Sequence, residues 1–390
     1  MTQEGSALLD LIYNKASLDA SIENLFLLDE HFFEKRETVS RVYGVCVPDD
    51  TEFKGCLFKY IDQCNDKIIH ITPKPLFITM FGGEYQVYVY VKQEYAFTYF
   101  SSYKVPKEEM IHSIKLRDYF SVERFLKTGV IYCKTDYLYN SFMQWLQHSI
   151  EKIPKRQIVL ITGSADFCID DSLVRLYKRY VADWFGTNVT SQSEHVYGIP
   201  LGLTSYDPRS SSPSFLFQYG DNSDYHRILA DDSCILNAHT LPKTNTIPIY
   251  MNFSKGTYHD RPRIWNEFKN HYLVCAKEHA CTLEDRYRFF EDMRQSEYSL
   301  CPRGNGIDTH RFWESLYSGV IPIIEKNRVY EFFKGLPFIE IPSMNKEHLT
   351  EGFLKREKLK WELYGFNYQK LYVSYWIEQI ERKSVQLMEK

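Results

Sequence analysis

Short apolar runs alternate with stretches of helical spacing along the last two thirds of the chain. Between residues 129 and 205, the pattern predicts strands at 130–133, 157–162 and 187–189 and helices at 137–151 and 171–184. After a Pro-, Thr- and Asn-rich connection at 237–248, it predicts strands at 249–253, 272–276, 298–301 and 320–324 and helices at 261–269, 283–294 and 309–317. Strands that alternate with helices are typical of parallel sheets covered on both faces. The sequence therefore predicts an α/β protein with two doubly wound, Rossmann-like lobes that face a cleft.

The first hundred residues follow a different pattern. Residues 1–40 have helical spacing, whereas residues 76–100 alternate in the way of a strand, with Gly82 and Gly83 as the turn between two strands. This part carries no motif with an identifiable chemistry, so we expect an accessory region over 1–105. The two lobes then follow at 106–240, on the acceptor side, and at 241–390, with a closing C-terminal helix.

Composition excludes several classes of protein. The formal charge is -4, with 44% hydrophobic and 25% charged residues, which is typical of a soluble globular chain and gives no basic excess for nucleic acid. The sequence contains neither a signal peptide nor an apolar run long enough to span a membrane, and we expect a cytoplasmic protein. The nine cysteines include no C-x-x-C pair, and the spacing of Cys275, His279 and Cys281 fits no common metal site, so neither a metal nor a disulfide is expected.

A glycine-rich loop joins the predicted strand 298–301 to the predicted helix 309–317. The loop begins Pro302, Arg303, Gly304, Asn305, Gly306. The glycines let the backbone come close to a ligand, the arginine offers a planar fork for phosphate oxygens, and the following helix start favours an anion. Asp308 or Thr309 is expected to cap that helix. The loop matches neither G-x-G-x-x-G nor the P-loop pattern.

Glu314 follows His310 by one helical turn and shares its face. A carboxylate placed one turn below a phosphate site is suited to accept ribose hydroxyls. Phe312, Trp313 and Leu316 are predicted to face the sheet instead. A phosphate site beside a ribose acceptor indicates a nucleoside diphosphate.

The segment CPRGNGIDTHRFWESLYSGVIPII resembles the donor-binding motif of exostosin-like glycosyltransferases of the GT-B architecture. The resemblance runs from about residue 129 to the C-terminus and includes YCKTDYL, VLITGSADFCID, WFGTNV, IPLGL and LYVSYW. It implies transfer of a sugar from a nucleotide sugar, usually a UDP-sugar, to a glycan hydroxyl, with inversion and without a metal or other cofactor. Eukaryotic members are usually anchored in the Golgi, so the lack of a membrane segment favours a soluble bacterial or viral enzyme, in the host cytoplasm if viral.

Carried onto this sequence, the resemblance assigns Arg303 to the diphosphate, Thr309 and His310 to the phosphate or nucleotide, and Glu314 to the ribose. The whole expected donor set is Arg303, Gly304, Asn305, Gly306, Thr309, His310, Arg311 and Glu314.

Inverting transfer needs a base that takes the proton of the acceptor hydroxyl. Asp166 lies just past a predicted strand end in the first lobe, at the rim of the cleft, and is the first candidate. Asp308 and His310 are the alternates, whereas Asp170 and Asp171 are expected to cap the next helix.

Two other classes stay open from the sequence. One is a sugar-binding protein of the same fold without turnover. The other is a different two-lobe α/β enzyme acting on nucleotide sugars, such as an epimerase, or a phosphorylase.

Overall fold

The computed structural model describes part of the chain. It covers residues 103–111, 128–139, 142–152, 157–163, 165–204, 235, 238, 240–278, 283–364 and 366–389, with the backbone of four strands within the first hundred residues. By compactness the chain divides into two units, Met1–Phe100 with Leu349–Phe366, and Ser101–His348 with Asn367–Lys390.

The first unit contains a four-stranded sheet. Its strands are β1 (Val39–Val45), β2 (Ile69–Thr72), β3 (Leu76–Phe81) and β4 (Glu84–Tyr90), in the order β1-β3-β4-β2. β3 and β4 pair antiparallel, as two strands joined by a short connection would. The turn predicted at Gly82 and Gly83 lies outside the described residues. The helical pattern over 1–40 lies outside the described residues except for its last two positions, which begin β1. A helix at Glu351–Tyr364 also belongs to this unit.

The second unit contains both α/β lobes. The first lobe has a parallel sheet in the order β5-β6-β7-β8. Its strands are β5 (Val130–Lys134), β6 (Ile158–Gly163), β7 (Val181–Gly186) and β8 (Val196–Gly198). Its helices are α1 (Phe142–Ser149) and α2 (Asp171–Tyr177), with 3₁₀ turns at Thr135–Tyr139 and Ile150–Lys152. Every residue of β6 is buried, as expected for a strand covered on both faces.

The predicted helix over 171–184 is wrong in its second half. The helix ends at Tyr177, and Val181–Gly186 forms β7, which pairs with β6 on one side and β8 on the other. Trp184 and Phe185 are buried there, because pairing inside the sheet overrides a local helical pattern. The strand predicted at 187–189 is also wrong, since Asn188 takes a positive φ of 56° in a turn. The cap predicted at Asp170 is confirmed, because its side chain accepts from the Leu173 amide at 2.8 Å.

The second lobe has a five-stranded parallel sheet in the order β10-β9-β11-β12-β13. Its strands are β9 (Ile247–Met251), β10 (Val274–Ala276), β11 (Ser296–Leu300), β12 (Ile321–Glu325) and β13 (Ile339–Ile341). Its helices are α3 (Arg261–Phe268), α4 (Leu283–Arg294), α5 (His310–Tyr317) and α6 (Arg328–Glu331). The two parallel sheets with their helices confirm the predicted pair of Rossmann-like lobes.

Helix α5 shows why the local sequence folds as it does. Phe312, Trp313 and Leu316 are buried, and so are Glu314, Ser315 and Tyr317, so the helix is covered on more than the side that the spacing predicts. The helix ends where Gly319 takes a φ of 68°, which confirms the predicted glycine cap.

The C-terminal helix α7 (Val373–Glu389) joins the two lobes. The sequence assigned it to the second lobe, but in the structure it packs against β6 and β7 of the first lobe. Ser384 donates to the Thr128 carbonyl at 2.8 Å. Further 3₁₀ turns lie at Lys107–Glu109, Lys346–His348 and Tyr368–Leu371. The predicted domain boundaries at residues 105 and 240 stay a prediction.

Phe332, which follows α6, packs against the core of the first lobe. A Cβ added at Gly198 would lie 2.4 Å from Phe332 Cδ2 and 2.6 Å from its Cγ. Both lobes must therefore be close here, and only a residue without a side chain fits.

We expect Gly198→Ala to lower the free energy of unfolding by about 1–3 kcal/mol, because the ring sits too close to the backbone to swing aside. Urea denaturation measures this. Gly256→Ala is the control, since a Cβ there meets nothing within 4 Å. Equal stability of the two variants would contradict the close packing of the lobes at Gly198.

Candidate functional site

The glycine-rich loop lies between β11 and α5, at the carboxyl end of the second sheet. Thr309 occupies the N-cap position of α5, but its side chain makes no capping hydrogen bond. Its hydroxyl is buried and has no hydrogen-bond partner among the described residues. A buried hydroxyl without a partner is costly, so Thr309 is suited to a ligand oxygen.

Arg261 holds the start of the loop in place. Its guanidinium donates to the carbonyls of Pro302 at 2.9 Å, Arg303 at 2.8 Å and Ser254 at 3.0 Å. Burial lowers the pKa of Arg261 to about 10, with a smaller contribution from the charge of Arg311, so the group stays cationic at neutral pH. Sequence reasoning missed this residue, because it lies in the first turn of α3, 41 positions before Pro302.

Arg303 lies on the outer side of the same loop. Its guanidinium stacks on the Tyr258 ring at 4.3 Å and donates to the Asn305 carbonyl at 3.1 Å. Neither Arg303 nor Arg261 forms an ion pair with a carboxylate of the described residues. The loop therefore carries cationic charge that is not neutralised locally, which favours an anionic ligand.

Glu314 lies one turn into α5 and is 3% exposed. Arg286 Nη2 lies 2.6 Å from its Oε1, and Arg311 Nε lies 3.1 Å from its Oε2. Burial alone would raise the pKa of Glu314, but the two arginines hold it at about 2, so the carboxylate is charged at neutral pH. Arg311 also donates to the Asn252 carbonyl and stacks on Phe289 at 4.0 Å.

This geometry bears on the role expected for Glu314. Each of its oxygens already accepts from an arginine, and the group is covered. A ribose would reach it only by sharing or replacing one of these contacts. The ribose role stays a prediction.

Asp308 connects the two lobes. Its Oδ2 accepts from the Leu201 amide of the first lobe at 2.8 Å, and its two oxygens lie 3.0 and 3.1 Å from Trp313 Nε1. It is 2% exposed, and burial raises its pKa to about 7 in spite of these hydrogen bonds. Covered in this way, its carboxyl group is out of reach of an acceptor hydroxyl, and the geometry favours a structural role over that of the base.

His310 makes a second bond between the lobes. Its Nδ1 lies 2.8 Å from the Gly202 carbonyl, which can only accept, so Nδ1 carries the proton. Burial lowers the pKa of the ring, which is therefore neutral at pH 7. Its Nε2 is then an acceptor, and it has no hydrogen-bond partner in the described part of the chain.

Asn188 is a further residue that sequence reasoning missed. Its Oδ1 accepts from the amides of Ile307 at 2.9 Å and Asp308 at 2.8 Å, and its Nδ2 donates to the Ala165 carbonyl at 3.4 Å. Two amides of the glycine-rich loop are thus used to bind the first lobe. Nothing in the sequence signals this role, because its pattern predicts a strand over 187–189.

Asp166 is exposed and follows β6 at the carboxyl end of the first sheet. A Cβ added at Gly306 would lie 3.2 Å from Asp166 Oδ1 and 3.0 Å from Asn188 Nδ2. The predicted base and the glycine-rich loop therefore face each other closely, and Gly306 provides the space. The charge of Asp166 also acts to raise the pKa of His310.

The remaining predicted donor residues lie along the same loop. Gly304 lies next to Arg261, since a Cβ there would be 3.3 Å from Arg261 Nη2, and Asn305 is exposed. The structure thus gathers Asp166, His310 and Thr309 around the loop, with Glu314 beneath it.

No group of three or more His, Cys, Asp or Glu side chains among the described residues is arranged to hold a metal ion. Their helices include none with the length and apolar character needed to cross a bilayer.

Comparison with known proteins gives one partial similarity. No protein-family model matches the chain. The chain is similar to a protein named as a probable glucuronosyltransferase from Oryza sativa subsp. japonica, with 30% identity over 122 residues. The match covers 27% of this chain and 26% of the relative, so the chain spans about a quarter of that protein's length. This similarity points to glycosyltransferases as a general class.

The raised pKa of Asp308 gives a pH dependence with a definite sign. Between 3.8 and about 7 the folded protein holds a proton on Asp308 that the unfolded chain has released. Folding stability from this group is therefore lost as the pH rises through that window, with a slope of at most about 1.4 kcal/mol per pH unit.

We expect the difference in unfolding free energy, wild type minus Asp308→Asn, to fall as the pH rises from about 5 to about 7 and to level off above. Denaturant titrations at each pH measure it. Parallel curves for the two proteins would show that Asp308 does not titrate as the structure indicates.

Proposed function

We propose that the chain is a glycosyltransferase that moves a sugar from a nucleoside diphosphate sugar to a hydroxyl of a glycan. The observation that carries the proposal is the close approach of a cationic loop and a carboxylate across the two lobes. Arg303 of the glycine-rich loop, which forms no ion pair with a described carboxylate, lies on one lobe, and the exposed Asp166 carboxylate faces that loop from the other, 3.2 Å from a Cβ placed on Gly306. Ligands of parallel α/β sheets bind beyond the carboxyl ends of the strands, where both groups lie.

The donor diphosphate would bind at the start of α5. Arg303 offers two nitrogens to its oxygens, Thr309 offers an unpartnered hydroxyl, and the helix N-terminus favours negative charge. The same groups would stabilise the charge that develops on the leaving diphosphate, which is the task a metal ion performs in other enzymes. We therefore expect transfer without added metal.

The donor is expected to be a UDP-sugar. This expectation rests on the resemblance to exostosin-like enzymes of the GT-B architecture and agrees with the glucuronosyltransferase name of the relative from Oryza. The nucleoside would lie over the second lobe, near Arg311 and Glu314. Membership of the exostosin-like family stays part of the proposal.

Asp166 would take the proton of the acceptor hydroxyl. It is exposed, lies on the lobe opposite to the diphosphate, and belongs to a turn whose two ends are fixed. Ala165 accepts from Asn188, and Asp170 caps α2. Inversion follows if the acceptor attacks from the side of Asp166 while the diphosphate leaves toward Arg303.

Arg303→Ala should weaken binding of UDP and of UDP-sugars by about 10- to 100-fold, because it removes a charge-assisted pair worth about 1.5–3 kcal/mol. Isothermal calorimetry with UDP measures the change. Arg263→Ala is the matched control, since Arg263 lies on the same lobe but pairs with Asp260 on the outside of α3. Wild-type UDP affinity in Arg303→Ala would contradict the placement of the diphosphate.

Asp166→Asn should lower kcat of sugar transfer by about 10²- to 10⁴-fold, because it removes the base while keeping the shape of the side chain. UDP affinity and the melting temperature should stay at wild-type values, since Asp166 is exposed and binds no donor group.

Asp170→Asn is the control for this experiment. It neutralises a carboxylate four positions away, and asparagine caps a helix as well as aspartate does. Sugar transfer at the wild-type rate by Asp166→Asn would refute the role of Asp166 as the base. His310 Nε2 would then be the candidate acceptor of the proton. Wild-type protein that binds UDP-sugars without transferring or hydrolysing them would instead be a sugar-binding protein.

A further inference from the structure

Two aromatic rings stand exposed beside Asp166. Tyr139 is 56% exposed and Phe167 is 53% exposed. Their ring centroids are 5.6 Å apart with the planes tilted by 59°. Phe167 directly follows Asp166 in the chain.

The position of the pair follows from the sheet. Lys134 at the end of β5 pairs with Gly163 at the end of β6. Tyr139 closes the 3₁₀ turn that follows β5, and Phe167 lies in the turn that follows β6. Both rings therefore stand at the carboxyl ends of neighbouring parallel strands, which is the edge where ligands bind.

Phe142, Tyr177, Trp184 and Phe185 of this lobe are buried in its core, whereas Tyr137 and Trp145 are exposed, as Tyr139 and Phe167 are. Tyr139 and Phe167 contact each other across the carboxyl ends of β5 and β6. A single exposed ring needs no explanation, but two adjacent rings held against each other at a cleft form an apolar surface that is open to a ligand. Asp166, the residue before Phe167, lies against the donor loop, since a Cβ on Gly306 would be 3.2 Å from its Oδ1. The turn that carries Phe167 thus lies near the donor loop but on the opposite lobe.

We infer that Tyr139 and Phe167 form a platform on which a pyranose ring of the acceptor glycan stacks, so that a hydroxyl of that ring or its neighbour reaches Asp166. This inference rests on the proposed function. The C–H bonds on one face of a pyranose carry partial positive charge, and the faces of aromatic rings carry partial negative charge. The Tyr139 hydroxyl can in addition bond a sugar hydroxyl at the rim.

The platform favours one class of acceptor. Sugars whose hydroxyl groups are all equatorial, such as β-linked glucose or xylose, present an uninterrupted C–H face. An axial hydroxyl interrupts one face and prevents close stacking there. The acceptor is therefore expected to present such a C–H face, and β-linked glucose or xylose offers one on both sides of the ring, whereas β-linked mannose offers one on a single side.

The test uses the full chain with saturating UDP and, as probes, cellotetraose, xylotetraose and a β-1,4-linked mannotetraose. Saturation-transfer NMR with irradiation of the aromatic protons should transfer magnetisation to the ring C–H protons of cellotetraose or xylotetraose, and less to those of mannotetraose. Tyr139→Ala and Phe167→Ala should each weaken binding of these sugars by about 3- to 10-fold. Tyr139→Phe and Phe167→Tyr should restore it, because they keep the ring.

Two controls separate a local effect from damage. Tyr272→Ala removes a ring that is 72% exposed on the second lobe, and it should leave sugar binding unchanged. Melting temperatures of all variants should match the wild type, since the rings are exposed.

UDP affinity, measured on the same variants, distinguishes this inference from the proposed function. Unchanged UDP affinity with weakened sugar binding supports the platform. Weakened UDP affinity in Tyr139→Ala and Phe167→Ala would assign the rings to the nucleobase and overturn it. Sugar binding that survives in a variant carrying both Tyr139→Ala and Phe167→Ala would also overturn it. The same holds if UDP binds but none of the three sugars receives magnetisation from the aromatic protons. Failure of the wild type to bind UDP would refute the proposed function itself.

Discussion

The close approach of the segment 306–310 to the first lobe is the constraint on which the candidate site depends. It is held by hydrogen bonds in which side chains of each lobe bind backbone groups of the other. Asn188 accepts from two amides of the second lobe, Asp308 accepts from the Leu201 amide, and His310 donates to the Gly202 carbonyl. Because backbone groups cannot rotate away as side chains do, these bonds fix the distance between the strand ends of the two sheets. The arrangement includes the burial of a carboxyl group, which is the reason that the pKa of Asp308 is raised to about 7.

Buried charges support the loop from the other side. Arg261 donates to the carbonyls of Pro302, Arg303 and Ser254. Glu314 of α5 pairs with Arg286 of α4 and with Arg311 of its own helix. Buried ion pairs add little net stability, but removing one partner leaves an uncompensated charge, so such networks tolerate few alternatives. The loop is thus shaped before a ligand arrives, which lowers the entropy that binding must overcome.

The sequence predicted the elements better than it predicted the contacts. Apolar runs such as 157–162, together with the helical spacing of Phe312, Trp313 and Leu316, were enough to predict the two parallel sheets. A strand that is buried on both faces is apolar at nearly every position, and this is visible in the sequence. The pattern over 171–184 failed because the strand Val181–Gly186 owes its conformation to β6 and β8. Asn188 and Arg261 could not be found in this way, since each acts on residues 41 or more positions away and neither belongs to a recognisable motif. The glycine-rich loop was found, but the buried state of Asp308 and Glu314 follows only from how the lobes and α4 pack around it.

Asn188 shows how the two halves of the site are linked. Its left-handed backbone directs one amide side chain at both loops, with Oδ1 on Ile307 and Asp308 and Nδ2 on the carbonyl of Ala165. The residue after Ala165 is Asp166, and the residue before Ile307 is Gly306. One side chain therefore sets the spacing between the carboxylate on the first lobe and the glycine-rich loop on the second. Under the proposed function these are reacting groups, which must be held within a fraction of an ångström of the productive geometry, so this spacing is one that the proposed chemistry requires. Gly306 and Asn188 act on the same gap between the glycine-rich loop and Asp166. The glycine leaves the gap open, and the amide of Asn188 fixes its width.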